Sequence, residues 1–193
     1  MEWWAFLKGF LRSPGAVGAV IPTGKAASQA LARAAGVGQA TRVLEIGAGT
    51  GPVTEAILAE LDGDLISVER DVRMAAVTRS KFRGQCEVVT GDALDSRRFL
   101  EERGMSSVDS VVCAIPFTTM SKELQCEMLD MIDDVLDEDG GFSAIMYMNG
   151  ALLPSFWSFI RTLKDWFPDV SLGVVWRNAP PAFIVRVRKV RSQ

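Results

Sequence analysis

A chain of 193 residues, 48% apolar and carrying a net charge of −3, has enough material for one compact domain with a sizeable core and too little polarity for wholesale disorder. No apolar run approaches the ~20 residues of a membrane-spanning helix; the absence of histidine removes imidazole acid–base chemistry and the commonest zinc ligand, and Cys86, Cys113 and Cys126, without paired spacing, fit reduced thiols in a cytosolic setting. The charge is uneven, +3 over residues 1–35, +5 over 151–193 and −11 between them, which reads either as ordinary solvated charge or as two ends that face something anionic, the phosphate of lipid or of nucleic acid.

The opening MEWWAFLKGFLRS predicts an amphipathic helix. At ~100° per residue, Trp3, Trp4, Phe6, Leu7, Phe10 and Leu11 fill one arc, with Glu2, Lys8 and Arg12 on the other side. Its charges interrupt the apolar run and no small-residue cleavage site follows, which is not the order of a signal peptide. About twelve helical residues span only ~18 Å against ~30 Å of hydrocarbon, so such a helix lies flat. Interfacial aromatics flanked by cations describe an in-plane anchor formed by Trp3, Trp4, Phe6, Leu7, Lys8, Phe10 and Arg12. The competing reading is a lid packed on its own domain.

SPGAVGAVIPTGK then reads as a Gly/Pro loop leading into an alanine-rich helix near 25–35. Strands are expected at 41–46, 64–69, 86–90, 108–115, 142–148, 171–176 and 182–188, with helices between them, the clearest at 121–137. The Val, Ile and Leu of the early strands fit a parallel sheet covered on both faces, hence a doubly wound α/β fold with right-handed crossovers. The short RNAPP link joins the last two strands as an antiparallel hairpin. PSFWSFIRTLKDWF (154–167) is a second aromatic amphipathic helix and a second candidate lipid contact, though its place between strands favours sheet packing, and the basic RVRKVR at the end reads either as a contact for lipid phosphate or as a solvated edge strand. With no repeat or linker, residues 1–193 read as one domain, 1–35 being N-terminal helices and 41–193 the core.

The richest stretch is VLEIGAGTGPVTEAI. A strand ends at Ile46, Gly47, Gly49 and Gly51 follow at alternate positions, and Pro52 suits a helix's first turn. Such glycines let backbone approach a ligand while the helix start offers free N–H groups. A dinucleotide fingerprint needs its third glycine where Pro52 stands. The pattern beginning at Glu45, E-x-G-x-G-x-G, instead resembles motif I of the S-adenosylmethionine-dependent methyltransferases. That resemblance implies a Rossmann-like seven-stranded class I sheet, with the glycine loop on the cofactor's methionine part. Glu69, at the end of the second strand, would accept from the ribose hydroxyls, and Asp92 with Ala93, after the third, would meet the adenine.

CAIPF (113–117) ends the fourth strand, where the superfamily positions its acceptor. It resembles the N-[LI]-P-[FY] signature of adenine N6-methyltransferases, the ribosomal RNA adenine dimethylases among them, but Ala114 stands at the asparagine position and removes the group that reads an adenine edge. Cys113, inside an apolar strand, reads as packing and not as a nucleophile. The segments FLRSPGAVGAVIPTGKAASQALARA, VLEIGAGTGPVTEAI and NAPPAFIVRVRK together resemble the bacterial phospholipid N-methyltransferases, of the phosphatidylethanolamine or ornithine-lipid type. The resemblance implies S-adenosyl-L-methionine as cofactor, no metal, and methyl transfer to the primary amine of a lipid head group, repeatable to the trimethyl product. It also implies a cytoplasmic enzyme resting on anionic lipid of the inner leaflet.

In such a reaction a neutral amine attacks the sulfonium methyl in line, so positioning outweighs acid–base work. Ala114, Ile115 and Phe117 are the expected acceptor contacts, and Pro116 and Tyr147 the expected catalytic positions, carbonyls of 114–116 orienting the amine N–H groups. The alternatives are an rRNA adenine or small-molecule N-methyltransferase, or a lipid-surface module without turnover.

Overall fold

The computed structural model describes residues 23–147, 154–178 and 180–190. The aromatic opening segment, Trp3 to Arg12, lies outside the described residues. Seven strands form one sheet: β1 (Arg42–Ile46), β2 (Asp64–Glu69), β3 (Glu87–Thr90), β4 (Val108–Cys113), β5 (Leu136–Tyr147), β6 (Asp169–Val175) and β7 (Ala182–Arg188). Their order is β3-β2-β1-β4-β5-β7-β6; the first five are parallel neighbours, and β7 pairs antiparallel with both β5 and β6. The order reverses between β1 and β4. A crevice therefore opens there, beyond the carboxyl ends of those strands.

Helices α1 (Lys25–Ala35), α2 (Pro52–Leu58), α3 (Val72–Lys81), α4 (Ser96–Glu101), α5 (Lys122–Val135) and α6 (Pro154–Trp166) cover the sheet. Because strand side chains alternate, Leu44, Ile46, Val68 and Val111 enter one core with α4, α5 and α6. Val43, Leu65, Val112 and Ile145 enter the other with α1 and α2. The apolar stripe of α5 buries Met128, Leu129, Ile132 and Val135, and Ser121 caps its start by accepting from the Leu124 N–H. Truncating Leu129, which is fully buried, to alanine should cost about 2–5 kcal/mol.

Two buried hydroxyls fasten α1 to the sheet. Ser110 on β4 donates to the Ala35 carbonyl and Ser143 on β5 to the Leu31 carbonyl, both at 2.8 Å. The helix thus runs back against the strands, and its first turn emerges at their carboxyl ends. There the Gly24 N–H donates to Asn178 Oδ1 at 3.0 Å, while Asn178 Nδ2 donates to the Pro180 carbonyl at 2.7 Å. The NAPP turn of the β6–β7 hairpin is clamped in this way onto the TGK start of α1.

Most strands shift by one or two residues from expectation, β6 to Asp169–Val175 among them, and two junctions differ for a clear reason. The helix expected over 121–137 ends at Val135, and β5 begins at once with Leu136. The reason is an irregularity: Leu136 pairs with Val108 but Gly141 with Ser110, so residues 137–140 bulge opposite Asp109, with Asp139 at φ 65°. Lys189 Nζ takes up the Asp133 and Leu136 carbonyls at the helix end. The strand expected over 108–115 stops at Cys113, three residues before Pro116, which has no N–H for a ladder.

Candidate active site

The glycine loop leaves β1 at Ile46 and enters α2 at Pro52, the N1 position. Gly47, Gly49 and Gly51 all have positive φ, 83°, 55° and 92°. Crowding separates their roles. A Cβ on Gly47 would lie 2.6 Å from Ile115 Cγ1, and one on Gly51 2.4 Å from the Phe82 ring, whereas a Cβ on Gly49 would meet nothing within 4 Å. The outer glycines make room for protein, and the central one borders open space.

That central peptide is held from both sides. The Gly49 N–H donates to Glu69 Oε2 at 2.8 Å, and Thr78 of α3 donates to the Gly49 carbonyl at 2.7 Å. The other carboxylate oxygen of Glu69 accepts the Asp71 N–H at 2.8 Å. Each oxygen keeps a further lone pair, so Glu69 can brace the loop and still accept from a ligand hydroxyl. Asp92 accepts the Leu94 N–H at 3.2 Å through Oδ1, and its Oδ2 lies 3.4 Å from Arg70 Nη1. Ala93 follows in the same turn, its carbonyl accepting from Ser96 Oγ.

Glu45 stands behind the loop. It is fully buried, and its Oε2 accepts from Thr54 Oγ1 at 2.7 Å and Ser67 Oγ at 2.5 Å, while Oε1 is buried without a hydrogen-bond partner. Burial lifts its carboxyl to about 7, against the opposing pull of the two hydroxyls. Glu45 therefore ties α2 to β2 beneath the glycine loop and presents no exposed surface to a ligand.

Across the switch point, the Ala114 N–H donates to the Ile46 carbonyl at 2.9 Å, so Ala114, Ile115 and Pro116 run beside Gly47. Ala114 and Tyr147 pack against the same core, the one under α1, and Tyr147 ends β5 three residues past Ala144, the partner of Cys113. Phe117, read as an acceptor contact, lies elsewhere. Its ring is wholly buried, stacked on Phe159 with centroids 4.7 Å apart and edge-on to Phe142 at 6.2 Å, and it offers no face to an acceptor. The aromatic of this motif is core here because α6 supplies a ring to stack on. Cys113 is also buried, its thiol pushed up to about 12, which suits packing.

Several supporting residues escape a motif reading. Thr78 holds the loop from α3, Thr54 and Ser67 hold Glu45 behind it, and buried Gln125 donates from Nε2 to the Phe117 carbonyl at 2.9 Å, fixing the turn after Pro116. Their only sequence signal is a polar residue at an apolar-phase position of a helix or strand.

The site fits the adenosyl-methionine group on its own geometry. An open-sided glycine peptide, free α2 N–H groups and acids at consecutive strand ends supply donors for a carboxylate and acceptors for ribose and adenine. The group would supply an electrophilic methyl carbon on a good leaving group. Among the described residues no cluster of acids and cysteines is arranged to hold a metal.

Comparison with known proteins agrees with that fit. A family model described as a methyltransferase domain matches residues 43–140. The chain is 31% identical to the ornithine lipid N-methyltransferase of Singulisphaera acidiphila over 195 aligned residues, 99% of this chain and 98% of that protein. Ribosomal RNA small subunit methyltransferase A of Rhizobium etli is 43% identical, but over 70 residues only, 35% of this chain and 26% of that one. The fold matches the O-methyltransferase from Bacillus cereus solved in complex with SAH, with a TM-score of 0.63 at 17% identity, over 97% of this chain and 90% of the other. The chain belongs to the class I S-adenosylmethionine-dependent methyltransferases, within their lipid N-methyltransferase type.

Proposed function

We propose that this enzyme transfers methyl groups to the primary amine of a membrane lipid head group, an ornithine lipid or phosphatidylethanolamine, in successive steps up to the trimethyl product. The observation that carries the reading is the end-to-end similarity to an ornithine lipid N-methyltransferase, against similarities to ribosomal RNA methyltransferases that cover between 28% and 53% of the chain. Ala114 supports it, since a methyl group there cannot read an adenine edge.

In this reading Gly47, Gly49 and Gly51 cradle the methionine part, Glu69 accepts from the ribose, and Asp92 with Ala93 borders the adenine. Glu45 acts through the loop it holds. The carbonyls of Ala114, Ile115 and Pro116 accept the amine N–H groups and aim the lone pair, with Tyr147 closing the acceptor side. Desolvation near the crevice lowers the amine's pKa and favours the neutral nucleophile. Association with the anionic inner leaflet through Trp3, Trp4, Phe6, Leu7, Lys8, Phe10 and Arg12 belongs to the same proposal.

The test is incubation with methyl-labelled S-adenosylmethionine and total bacterial lipid. Label in an aminolipid is expected. Label absent from lipid and present in ribosomal RNA would overturn the reading.

A further inference from the structure

The two edges of the sheet are built differently. β3 is four residues long, and Arg79 of α3 donates to its Val88 carbonyl at 2.8 Å, so a side chain already takes up one of its acceptors. β6, at the other edge, is seven residues long and pairs with β7 alone. Asp169 is its one charge, it holds no proline, and Leu172 and Val174 are 40% and 41% exposed. Short length, charge, proline and cover are the usual ways of closing an edge to another strand. Beyond its first residue β6 uses none of them.

Gly173 lies within this exposed run. A glycine inside a strand weakens it and marks a bulge or a close approach of ligand or backbone. β6 pairs with β7 without a register shift, Gly173 is not among the glycines of positive φ, and a Cβ there would meet only the Ile184 carbonyl oxygen, at 3.9 Å. Nothing inside the chain asks for a glycine at this position; an approach from outside does.

Symmetry restricts the register such an approach can take. Opposed residues of an antiparallel pair alternate between hydrogen-bonded and non-hydrogen-bonded sites. Two copies of one strand related by a two-fold axis must therefore centre on a residue that faces itself. Centring on Gly173 sets Leu172 against Val174 of a second copy and Val170 level with its Trp176, which is 71% exposed. It also brings Asp169 level with Arg177 of the second copy, twice over by symmetry. Both are exposed, and neither has an ion-pair partner among the described residues. Centring on Leu172 would set Asp169 against Val175, and centring on Val174 would set Arg177 against Ser171.

We infer that β6 is a homodimer interface, in which the β6 strands of two copies pair antiparallel about a two-fold axis through Gly173 and one sheet continues across both. The interface is isologous, with apolar cross-strand pairs flanking the axis and an acid–base pair at each end to set the register. β6 runs in the direction of β5, since both are antiparallel to β7, so the two crevices open at opposite ends of the joined sheet and each works alone. The inference requires nothing of the acceptor.

The experiment is sedimentation velocity on the full chain, without lipid or detergent, over a range of protein concentrations. A monomer–dimer equilibrium is expected. Gly173→Lys sets two like charges face to face at the axis but is an ordinary edge residue in a single chain. It should stay monomeric, with thermal unfolding and cofactor binding unchanged. Arg177→Asp and Asp169→Arg should each raise the dissociation constant at least about tenfold. Mixed together, these two variants should form a heterodimer, because acid then meets base at both ends in the Gly173 register. A wild-type chain that is monomeric at every concentration overturns the inference. So does a dimer that survives Gly173→Lys, since another surface then pairs the copies, or a mixture of the charge variants that associates no more tightly than either alone. A wild-type monomer whose sedimentation with vesicles is weakened by Gly173→Lys overturns it too and gives the edge to lipid.

Discussion

The backbone N–H of Gly49 lies 2.8 Å from Oε2 of Glu69, so the residue expected to bind the ribose also holds the loop that cradles the methionine part. Glu69→Ala should therefore lose a ligand contact and loosen the loop together. Calorimetry should show cofactor affinity weakened by about 1–3 kcal/mol, up to roughly a hundredfold. Glu69→Gln, which retains one acceptor oxygen, should lose less.

The loop glycines should separate by readout. Gly51→Ala places a methyl 2.4 Å from the Phe82 ring at φ 92°, which combines left-handed strain with overpacking and should cost about 2–5 kcal/mol of stability. Gly49→Ala meets no atom within 4 Å, so its strain is limited to about 1–2 kcal/mol, and its larger effect should fall on cofactor affinity. Thermal unfolding beside a cofactor titration checks the pair.

Buried Glu45 gives stability a pH dependence. Its carboxyl is raised from 4.5 to about 7 in the folded chain, so folding favours the protonated form. The associated stability is fully present below pH 4.5 and is lost as pH rises towards and through 7, by about 3 kcal/mol at most. Glu45→Gln should remove this slope. The difference in unfolding free energy between variant and wild type, followed from pH 5 to 8, should move in favour of the variant as pH rises.

Phe117→Ala should behave as a core deletion. The ring is wholly buried and stacked on Phe159, so a loss of about 3–5 kcal/mol is expected. Phe117→Leu should recover most of the stability and of the methylation rate. A Phe117→Leu variant of native stability with a large rise in KM for the acceptor would return the ring to the acceptor site.

Asn178→Ala strips the Gly24 N–H of its acceptor and the Pro180 carbonyl of its donor, at about 1–3 kcal/mol. Asn178→Asp keeps the first bond and should rescue part of that loss. Hydrogen exchange at Gly24 and Ser28 reports whether the start of α1 has loosened.

The sheet was legible because buried parallel strands are short, apolar and punctuated by Gly and Asp, and the glycine loop announced its ligand by spacing. The junction at Leu136 was not, because the helical pattern continues through Asp137 and only the pairing of Val108 with Leu136 reveals that the strand has begun. Phe117 followed its motif in sequence, but whether such a ring faces ligand or core depends on Phe159, about forty residues away. Thr78 and Gln125 were invisible for a related reason: a polar residue in a helix gives no sign of which distant carbonyl it will meet. The exposure of β6 depended on its falling at the sheet's edge, a property of topology rather than of its own residues.

The central claim is that the crevice beyond Ile46 delivers a methyl group to a lipid amine. One reaction containing labelled S-adenosylmethionine, ornithine lipid, phosphatidylethanolamine and 16S ribosomal RNA, with the three products separated afterwards, tests it most directly. The account predicts label in one or both lipids and none in RNA. Label in RNA alone, or no label in either lipid from a chain that binds the cofactor, would contradict it.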